Sequence, residues 1–158
     1  MKLTSSAFED GEKIPSKYTC DGENINPPLN ISDVPENTKS LVLVMDDPDI
    51  PKEVKEARSI EVFDHWILFN IPPGTEEVKE GEVPEGAVQG ANGRGDSNHT
   101  GPCPPPQYEP KIHRYFFKLY ALDVELELPE GSTKPEVERA MQGHIVEKVE
   151  LIGKYQRK

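Results

Sequence analysis

The sequence predicts a mostly β fold, a β-sandwich of antiparallel strands with one late helix, in a single domain that spans residues 1–158. Short apolar runs rich in β-branched and aromatic residues recur along the chain. The 16 prolines and 12 glycines indicate many turns and few long helices. A parallel α/β sheet is the alternative, but the sequence lacks the helices that such a sheet needs between its strands.

The first strands are predicted in the N-terminal half. Residues 1–20 form an edge segment and a loop, and an extended piece begins at 26–29. Residues 40–46, SLVLVMD, form a continuous apolar run whose length suits a strand buried on both faces. Two prolines stop this strand in the segment 46–51. The charged segment 52–61 is interpreted as either a short helix or a mobile loop, and a loop with a partial turn is favoured. The expected anchors of the first loop are Phe8, Ile14 and Tyr18.

The second strongly apolar strand is predicted at residues 65–71, HWILFNI, where Pro72-Pro73-Gly74 closes it. Residues 75–92 are polar and rich in glycine, with valines as intermittent anchors. The stretch from Gly93 to Asp123 then divides in two. Its first half is glycine, proline and small polar residues and predicts a loop, whereas His113–Asp123 predicts a strand. The valine anchors are Val78, Val83 and Val88.

The late helix has an N-terminal signal. Thr133 follows Ser132 and precedes lysine, proline and glutamate, the order of an N-cap and a first helical turn. The helix is predicted to run to about Ile145, and residues 147–155 alternate as a final strand. The apolar face of the helix would carry Val137, Ala140, Met141 and His144.

The charge of the chain restricts its partners. A net charge of −11 argues against a broad nucleic-acid-binding surface and against binding to an anionic membrane by charge alone. No apolar stretch reaches membrane-spanning length, so no stable membrane insertion is expected. The N-terminus lacks the apolar core of a signal peptide, and the expected location is cytoplasmic. No cofactor and no resident metal are expected.

The two cysteines, Cys20 and Cys103, lie far apart and form no closely spaced metal pair. Two reduced thiols are the expected state, because disulfides are uncommon in the cytosol. A disulfide that joins the two loops is the alternative.

Polar residues stand at the ends of the apolar strands: Asp47 and Asp49, then His65, then His113 with Arg114. If the strands lie side by side, these ends converge on one rim and form an anion pocket. Imidazole N–H groups would donate to the anion, as would the backbone N–H groups of Gly101 and Cys103 in the proline-rich loop.

Each of these features also has a purely structural explanation. Asp47-Pro48-Asp49 makes a good turn, and a lone histidine in a strand usually packs against its neighbours. Arg114 has many possible salt-bridge partners in an acidic chain. Arg94-Gly95-Asp96 is interpreted as turn chemistry rather than as an adhesion signal.

Two catalytic or metal alternatives use the same residues. Cys103 is the only candidate nucleophile, with His65 or His113 as its base. Two histidines and two aspartates are also feasible metal ligands. We expect no enzymatic activity.

Four motifs in order resemble the phosphatidylethanolamine-binding protein family, which includes Raf kinase inhibitor protein and prokaryotic relatives. They are Asp47-Pro48-Asp49-Ile50-Pro51, His65-Trp66, Gly101-Pro102-Cys103-Pro104-Pro105 and Ile112-His113-Arg114-Tyr115. The segments Tyr18–Gly22 and Pro27–Leu29 are similar to the opening of the prokaryotic branch. The resemblance covers nearly the whole chain.

The resemblance implies a Greek-key β-sandwich of two antiparallel sheets with a small pocket for phosphate-like or carboxylate-like anions, such as a phosphoethanolamine head group. It implies a binding protein that regulates a partner kinase or protease, and possible homodimers. A protease inhibitor that acts through surface loops and a weak hydrolase that uses the His/Asp pocket are the alternatives. The implied lining comprises Asp47, Asp49, His65, Gly101, Cys103, Pro104, Pro105, His113 and Tyr115.

The sequence departs from the family pattern in three places. Ile50 replaces the usual alanine and adds bulk beside the pocket. His99 stands where relatives commonly have tyrosine, which adds a candidate third imidazole to the rim. The long C-terminal helix of the eukaryotic proteins has no counterpart after Tyr155, so a more open site is expected. Anion binding is expected to strengthen as pH falls through the histidine range.

Overall fold

Eight strands form two antiparallel sheets in the computed structural model, which describes all residues 1–158. The smaller sheet has the order β1-β2-β5 and the larger sheet the order β6-β4-β3-β7-β8. The predicted mostly β fold is confirmed. The strands are β1 Lys2–Thr4, β2 Leu29–Ser32, β3 Ser40–Asp47, β4 Phe63–Ile71, β5 Glu77–Val78, β6 Val88–Gln89, β7 His113–Leu122 and β8 Ile145–Tyr155.

Two α-helices and one short 3-10 helix complete the fold: α1 Lys52–Arg58, α2 Lys134–Met141 and the 3-10 turn Ser16–Tyr18. Neither α-helix has the length and apolar character that a membrane crossing requires.

Strand β3 is buried on both faces, as its continuous apolar run predicts, because the larger sheet has a layer on each side. Leu43 and Met45 pack in the core between the two sheets. Val44, on the opposite face, joins a second core that includes Val137 and Met141 of α2. Every residue of β3 is buried.

The sheet topology explains why polar residues from distant parts of the chain meet. Strand β3 pairs antiparallel with both β4 and β7. The C-terminal end of β3 therefore lies beside the N-terminal ends of its two neighbours. In this register Asp47 is opposite Phe63 of β4, and Asp46 is opposite Phe116 of β7.

The favoured prediction that residues 52–61 form a loop with a partial turn is wrong, because residues 52–58 form helix α1. No residue of this helix is buried, so the apolar periodicity that marks most helices is missing. The sequence feature that indicates this helix is its charge pattern instead. Glu53 lies in the first turn and Arg58 in the last, each at the end that the helix dipole favours, and Lys52 pairs with Glu56.

Helix α2 begins where the sequence predicts and ends earlier. Thr133 and Glu136 form a capping box at its N-terminus. The helix ends at Met141 rather than near Ile145, because Gln142 leaves helical geometry and Gly143 has a φ of 81°. Ile145 already belongs to β8.

Four of the six predicted loop anchors are buried, and Val83 is exposed. Its exposed fraction is 39%, so it anchors nothing. Val88 is half-buried. The buried anchors are Phe8, Ile14, Tyr18 and Val78.

Candidate functional site

A pocket of about 620 Å³ opens at the edge of the larger sheet where β3 ends and β4 and β7 begin. Helix α1 and the loop 93–112 supply its remaining walls. Of the nine predicted site residues, eight line this pocket, and Asp49 does not. The lining comprises Asp47, Ile50, Pro51, Val54, Arg58, Phe63, His65, Arg94, Asp96, Thr100, Gly101, Cys103, Pro104, Pro105, His113 and Tyr115.

The side chain of His113 is held by the protein on both sides. Its Nδ1 lies 2.7 Å from Asp47 Oδ2, and its Nε2 lies 3.0 Å from the carbonyl oxygen of Pro110. Because a carbonyl oxygen only accepts, the Nε2 atom carries a proton and donates it. His113 therefore has no ring nitrogen left for a ligand. The expectation that it donates directly to an anion is corrected: it fixes Asp47 instead.

Asp49 pairs with Arg114 outside the pocket. The Arg114 side chain donates from Nε and Nη2 to the two carboxylate oxygens, at 2.8 and 2.9 Å, and the backbone N–H of Arg114 donates at 2.9 Å. The Arg114 guanidinium holds the pKa of Asp49 below its usual range. The structural explanation of Arg114 as a salt-bridge residue is therefore correct. Asp49 shapes the turn and does not line the pocket.

His65 is buried and presents one nitrogen to the pocket. Its Nδ1 lies 2.7 Å from the carbonyl oxygen of Thr100, so Nδ1 is the donor of that hydrogen bond. In the neutral ring Nε2 then has a free lone pair and no proton. Burial lowers the pKa of His65, which favours this neutral form.

Tyr115 contributes a hydroxyl group without a partner. The residue is fully buried, and its Oη has no hydrogen bond within the protein. Its ring centroid lies 5.2 Å from that of His65 and 6.3 Å from that of His113. Burial raises the pKa of Tyr115, so the group stays a neutral phenol that can donate a hydrogen bond.

Of the two predicted backbone donors, only one is available. The N–H of Gly101 donates to Asn24 Oδ1 at 2.9 Å, so it is already satisfied. The N–H of Cys103 has no acceptor in the protein. Gly101 is required by space as well, because a Cβ there would overlap Asn24 Oδ1 and the carbonyl oxygen of Tyr18.

Cys20 and Cys103 form a disulfide with a Cα–Cα distance of 5.4 Å, so the expectation of two reduced thiols is wrong. The bond joins the turn after the 3-10 helix to the pocket wall, beside the hydrogen bond from Cys20 N to the Pro102 carbonyl oxygen. While the disulfide is intact, Cys103 has no thiolate and cannot act as the candidate nucleophile with His65 or His113 as its base. No three His, Cys, Asp or Glu side chains converge to hold a metal ion.

His99 is not among the residues that line the pocket, so it does not supply the third imidazole that was a candidate for the rim. It packs edge-on against Trp66 with ring centroids 5.6 Å apart, and its Nδ1 lies 3.3 Å from the Asn24 carbonyl oxygen. Its Nε2 is buried without a partner. Burial lowers the pKa of His99 to about 4.

Two arginines at the pocket were missed by the sequence reasoning. Arg58, at the end of α1, lies with its guanidinium carbon 5.3 Å from the Phe63 ring centroid, and its Nη2 donates to the Gly93 carbonyl oxygen at 2.8 Å. Arg94 is exposed and makes no ion pair. Asn92 Oδ1 accepts from the backbone N–H groups of Arg94 and Asp96, so the turn interpretation is correct. The presence of an arginine in this turn is the sequence feature that could have identified Arg94 as a pocket residue.

Comparison with known protein families tests the family resemblance that the motifs indicate. The family model described as phosphatidylethanolamine-binding protein matches residues 4–156 of this chain. The chain belongs to the phosphatidylethanolamine-binding protein family. A protein of Methanothermobacter thermautotrophicus called UPF0098 protein is 47% identical, and the alignment covers 99% of each chain. A Pyrococcus abyssi protein of the same designation is 46% identical over all of this chain and 86% of its own length.

Solved structures of this family have the same fold. A phosphatidylethanolamine-binding protein homologue from Chlamydia trachomatis superposes with a TM-score of 0.90 and 45% identity, covering 99% of this chain and 97% of the other. YbcL of E. coli, described as a member of the mammalian family, gives a TM-score of 0.86 and 29% identity, with coverage of 99% and 98%.

The phosphatidylethanolamine-binding protein motifs occupy definite places in the structure. The segment Asp47–Pro51 joins the end of β3 to α1, and His65-Trp66 lies near the start of β4. The Gly101–Pro105 segment lies on the pocket loop, and His113–Tyr115 begins β7. Four segments that are separate in sequence therefore form one pocket.

Proposed function

We propose that this protein binds a small anion of the phosphate type in the pocket between β3, β4 and β7. The observation that carries the proposal is the hydroxyl of Tyr115, which is fully buried yet has no partner in the protein. A buried polar group without a hydrogen bond costs about 1–3 kcal/mol. A ligand oxygen that accepts from this hydroxyl would recover that cost on binding.

The local charges also support an anionic ligand, although the whole chain is acidic. Asp47 is paired with His113, and Asp49 is paired with Arg114. At the pocket this leaves Arg58 and Arg94 as cations, opposed by the carboxylate of Asp96. Arginine offers planar N–H donors that suit phosphate and carboxylate groups. The N–H of Cys103 adds a neutral donor from the pocket wall.

A regulatory role follows from the resemblance rather than from the pocket. The expected kinase or protease partner, the inhibitor alternative and the homodimer stay predictions. One comparison distinguishes a regulator that works through its pocket from an inhibitor that works through surface loops. The regulator loses control of its partner when Tyr115 or His65 is changed. An inhibitor that works through surface loops keeps its activity in the same variants.

A titration followed by NMR tests the binding proposal. Phosphate and phosphoethanolamine are added to millimolar concentration while backbone amide and histidine ring signals are recorded, with His65→Ala as the control variant. The proposal predicts saturable shifts near Asp47, His65, Cys103 and Tyr115 that are lost or strongly weakened in the variant. The absence of shifts at millimolar ligand, or shifts confined to residues outside the pocket, would show that the pocket holds no such anion. Equal shifts in His65→Ala would show that His65 does not contact the anion.

A further inference from the structure

The orientation of the His65 ring determines what its exposed nitrogen can recognise. The Thr100 carbonyl oxygen accepts from Nδ1 at 2.7 Å, which places the ring proton of neutral His65 on that atom. The Nε2 atom has no partner in the protein and belongs to the pocket lining. In the neutral ring this atom is a hydrogen-bond acceptor, so it repels the lone pairs of a fully ionised oxygen.

The surroundings of His65 oppose a second proton on the ring. Its side chain is buried among Phe63 and Tyr115, whose ring centroids lie 4.8 and 5.2 Å away. The charges of its neighbours are largely compensated by other groups. Asp47 is paired with His113, and Asp46, on the other face of β3, accepts from Lys118 and Lys134 at 2.9 and 2.8 Å. The remaining charged lining groups are Arg58, Arg94 and Asp96.

The Tyr115 hydroxyl needs a hydrogen-bond acceptor in the ligand, whereas His65 Nε2 needs a donor. Tyr115 has no acceptor for its hydroxyl in the protein, its ring centroid lies 5.2 Å from that of His65, and burial holds the phenol in its neutral form. An oxyanion that satisfies both residues must present one ionised oxygen to Tyr115 and one O–H group to His65. A phosphate monoester in its singly charged form carries both groups, whereas a phosphodiester has no O–H group.

We propose that the pocket selects phosphate monoesters in their singly protonated form over phosphodiesters, with His65 Nε2 accepting from the P–O–H group and Tyr115 donating to an ionised oxygen. This selectivity rests on the anion-binding function proposed above and narrows its ligand class. It applies equally to a free head group and to any other small molecule or side chain that ends in a phosphate monoester. The phosphodiester of an intact phospholipid is excluded.

Methyl phosphate and dimethyl phosphate test the proposal, because they differ chiefly in the O–H group. Calorimetric titrations of the full chain at pH 5.5, 6.5 and 7.5 should show methyl phosphate binding at least about tenfold more tightly than dimethyl phosphate at pH 5.5. The affinity of methyl phosphate should then fall by up to about tenfold per pH unit above its second pKa near 6, as the O–H group is lost. The affinity of dimethyl phosphate should change little across the same pH values.

Nitrogen NMR of the His65 ring gives a second readout that does not depend on affinity. In the methyl phosphate complex Nε2 should keep the shift of an unprotonated nitrogen that accepts a hydrogen bond. The variant His65→Gln, whose amide can donate as well as accept, should bring the two affinities within about threefold of each other. If that variant does not fold, the comparison of the two esters on the unaltered protein still decides the question.

The possible failures are distinguishable. Equal affinity for the two esters, or an imidazolium signal from His65 in the complex, would overturn the selectivity and leave the anion-binding function intact. Binding of neither ester at millimolar concentration would overturn both proposals.

Discussion

Asp47 and His113 form a buried pair in which Asp47 Oδ2 lies 2.7 Å from His113 Nδ1, with 3% and 1% of the two side chains exposed. One residue ends β3 and the other begins β7, so the pair joins two neighbouring strands in the lining of the pocket. The second ring nitrogen of His113 donates to the Pro110 carbonyl oxygen. The pair thus cross-links β3 and β7 in the same pocket lining as His65 and Tyr115.

Breaking this pair should destabilise the protein strongly. Asp47→Asn leaves the buried His113 without its carboxylate partner, and we expect the free energy of unfolding to fall by about 3 kcal/mol. Urea denaturation measures this change. The matched control is Asp49→Asn, whose partner Arg114 is half exposed, so the expected loss is about 1 kcal/mol or less. Equal losses in the two variants would contradict a special role for the Asp47–His113 pair.

Removing the Tyr115 hydroxyl should separate stability from binding. Tyr115→Phe deletes a buried group that has no partner, so the free energy of unfolding should stay the same or rise by up to about 1 kcal/mol, while phosphate affinity falls about tenfold or more. Urea denaturation and calorimetric titration measure the two quantities.

Tyr155→Phe is the control for this prediction. The Tyr155 hydroxyl donates to Asp21 Oδ2 at 2.7 Å, and Tyr155 does not line the pocket between β3, β4 and β7. Its loss should lower the free energy of unfolding by about 1–2 kcal/mol and leave phosphate affinity unchanged. A destabilised Tyr115→Phe with normal affinity would contradict the account of both hydroxyls.

The disulfide should stabilise both the fold and the pocket loop. Its cysteines are 83 residues apart, and a loop of that length corresponds to about 4.5 kcal/mol if the bond acts by restricting the unfolded chain. The double variant Cys20→Ser/Cys103→Ser should therefore unfold at a lower urea concentration than the oxidised protein. It should match the unaltered protein after reduction. Equal midpoints for the variant and the oxidised protein would show that the bond contributes no stability.

The lowered pKa of the partly buried His99 predicts a loss of stability in mild acid. Its pKa is lowered to about 4, whereas a histidine in the unfolded chain titrates near 6.5. As pH falls from 6.5 to 4 the unfolded chain gains a proton that native His99 does not, so the free energy of unfolding decreases, by at most about 3 kcal/mol from this residue. Urea denaturation at intervals across this range measures the slope.

His99→Phe keeps an aromatic ring against Trp66 and removes the titrating group, so its stability should depend less on pH across this range. His144→Asn, at a partly exposed histidine that pairs with Asp123, is the control and should retain the original slope. A slope unchanged by His99→Phe would mean that other groups cause the acid sensitivity.

The sequence predicted the fold and the meeting of strand ends because both depend on patterns that lie along the chain. The apolar run of β3 indicated a strand covered on both faces, and antiparallel pairing then placed Asp47 beside the starts of β4 and β7. Helix α1 was missed because it buries nothing, and with it Arg58 was missed. These errors come from elements whose signal is charge rather than apolar periodicity.

The hydrogen bonds of the site could not be predicted, because they depend on where loops from other parts of the chain arrive. Asn24 uses the N–H of Gly101, and the carbonyl oxygens of Pro110 and Thr100 fix which nitrogens of His113 and His65 are occupied. Residue types alone made all these groups equal candidates. The three-dimensional arrangement leaves His65 Nε2, the Tyr115 hydroxyl and the Cys103 N–H without a hydrogen-bond partner in the protein.

A crystal structure of the protein with phosphate, compared with one grown without the anion, tests the central claim most directly. The account predicts one phosphate in the pocket between β3, β4 and β7, with an oxygen within hydrogen-bond distance of Tyr115 Oη and another near His65 Nε2. In that structure His113 should keep its contacts with Asp47 and Pro110. A pocket without phosphate at saturating concentration, or a phosphate that touches neither Tyr115 nor His65, would contradict the account.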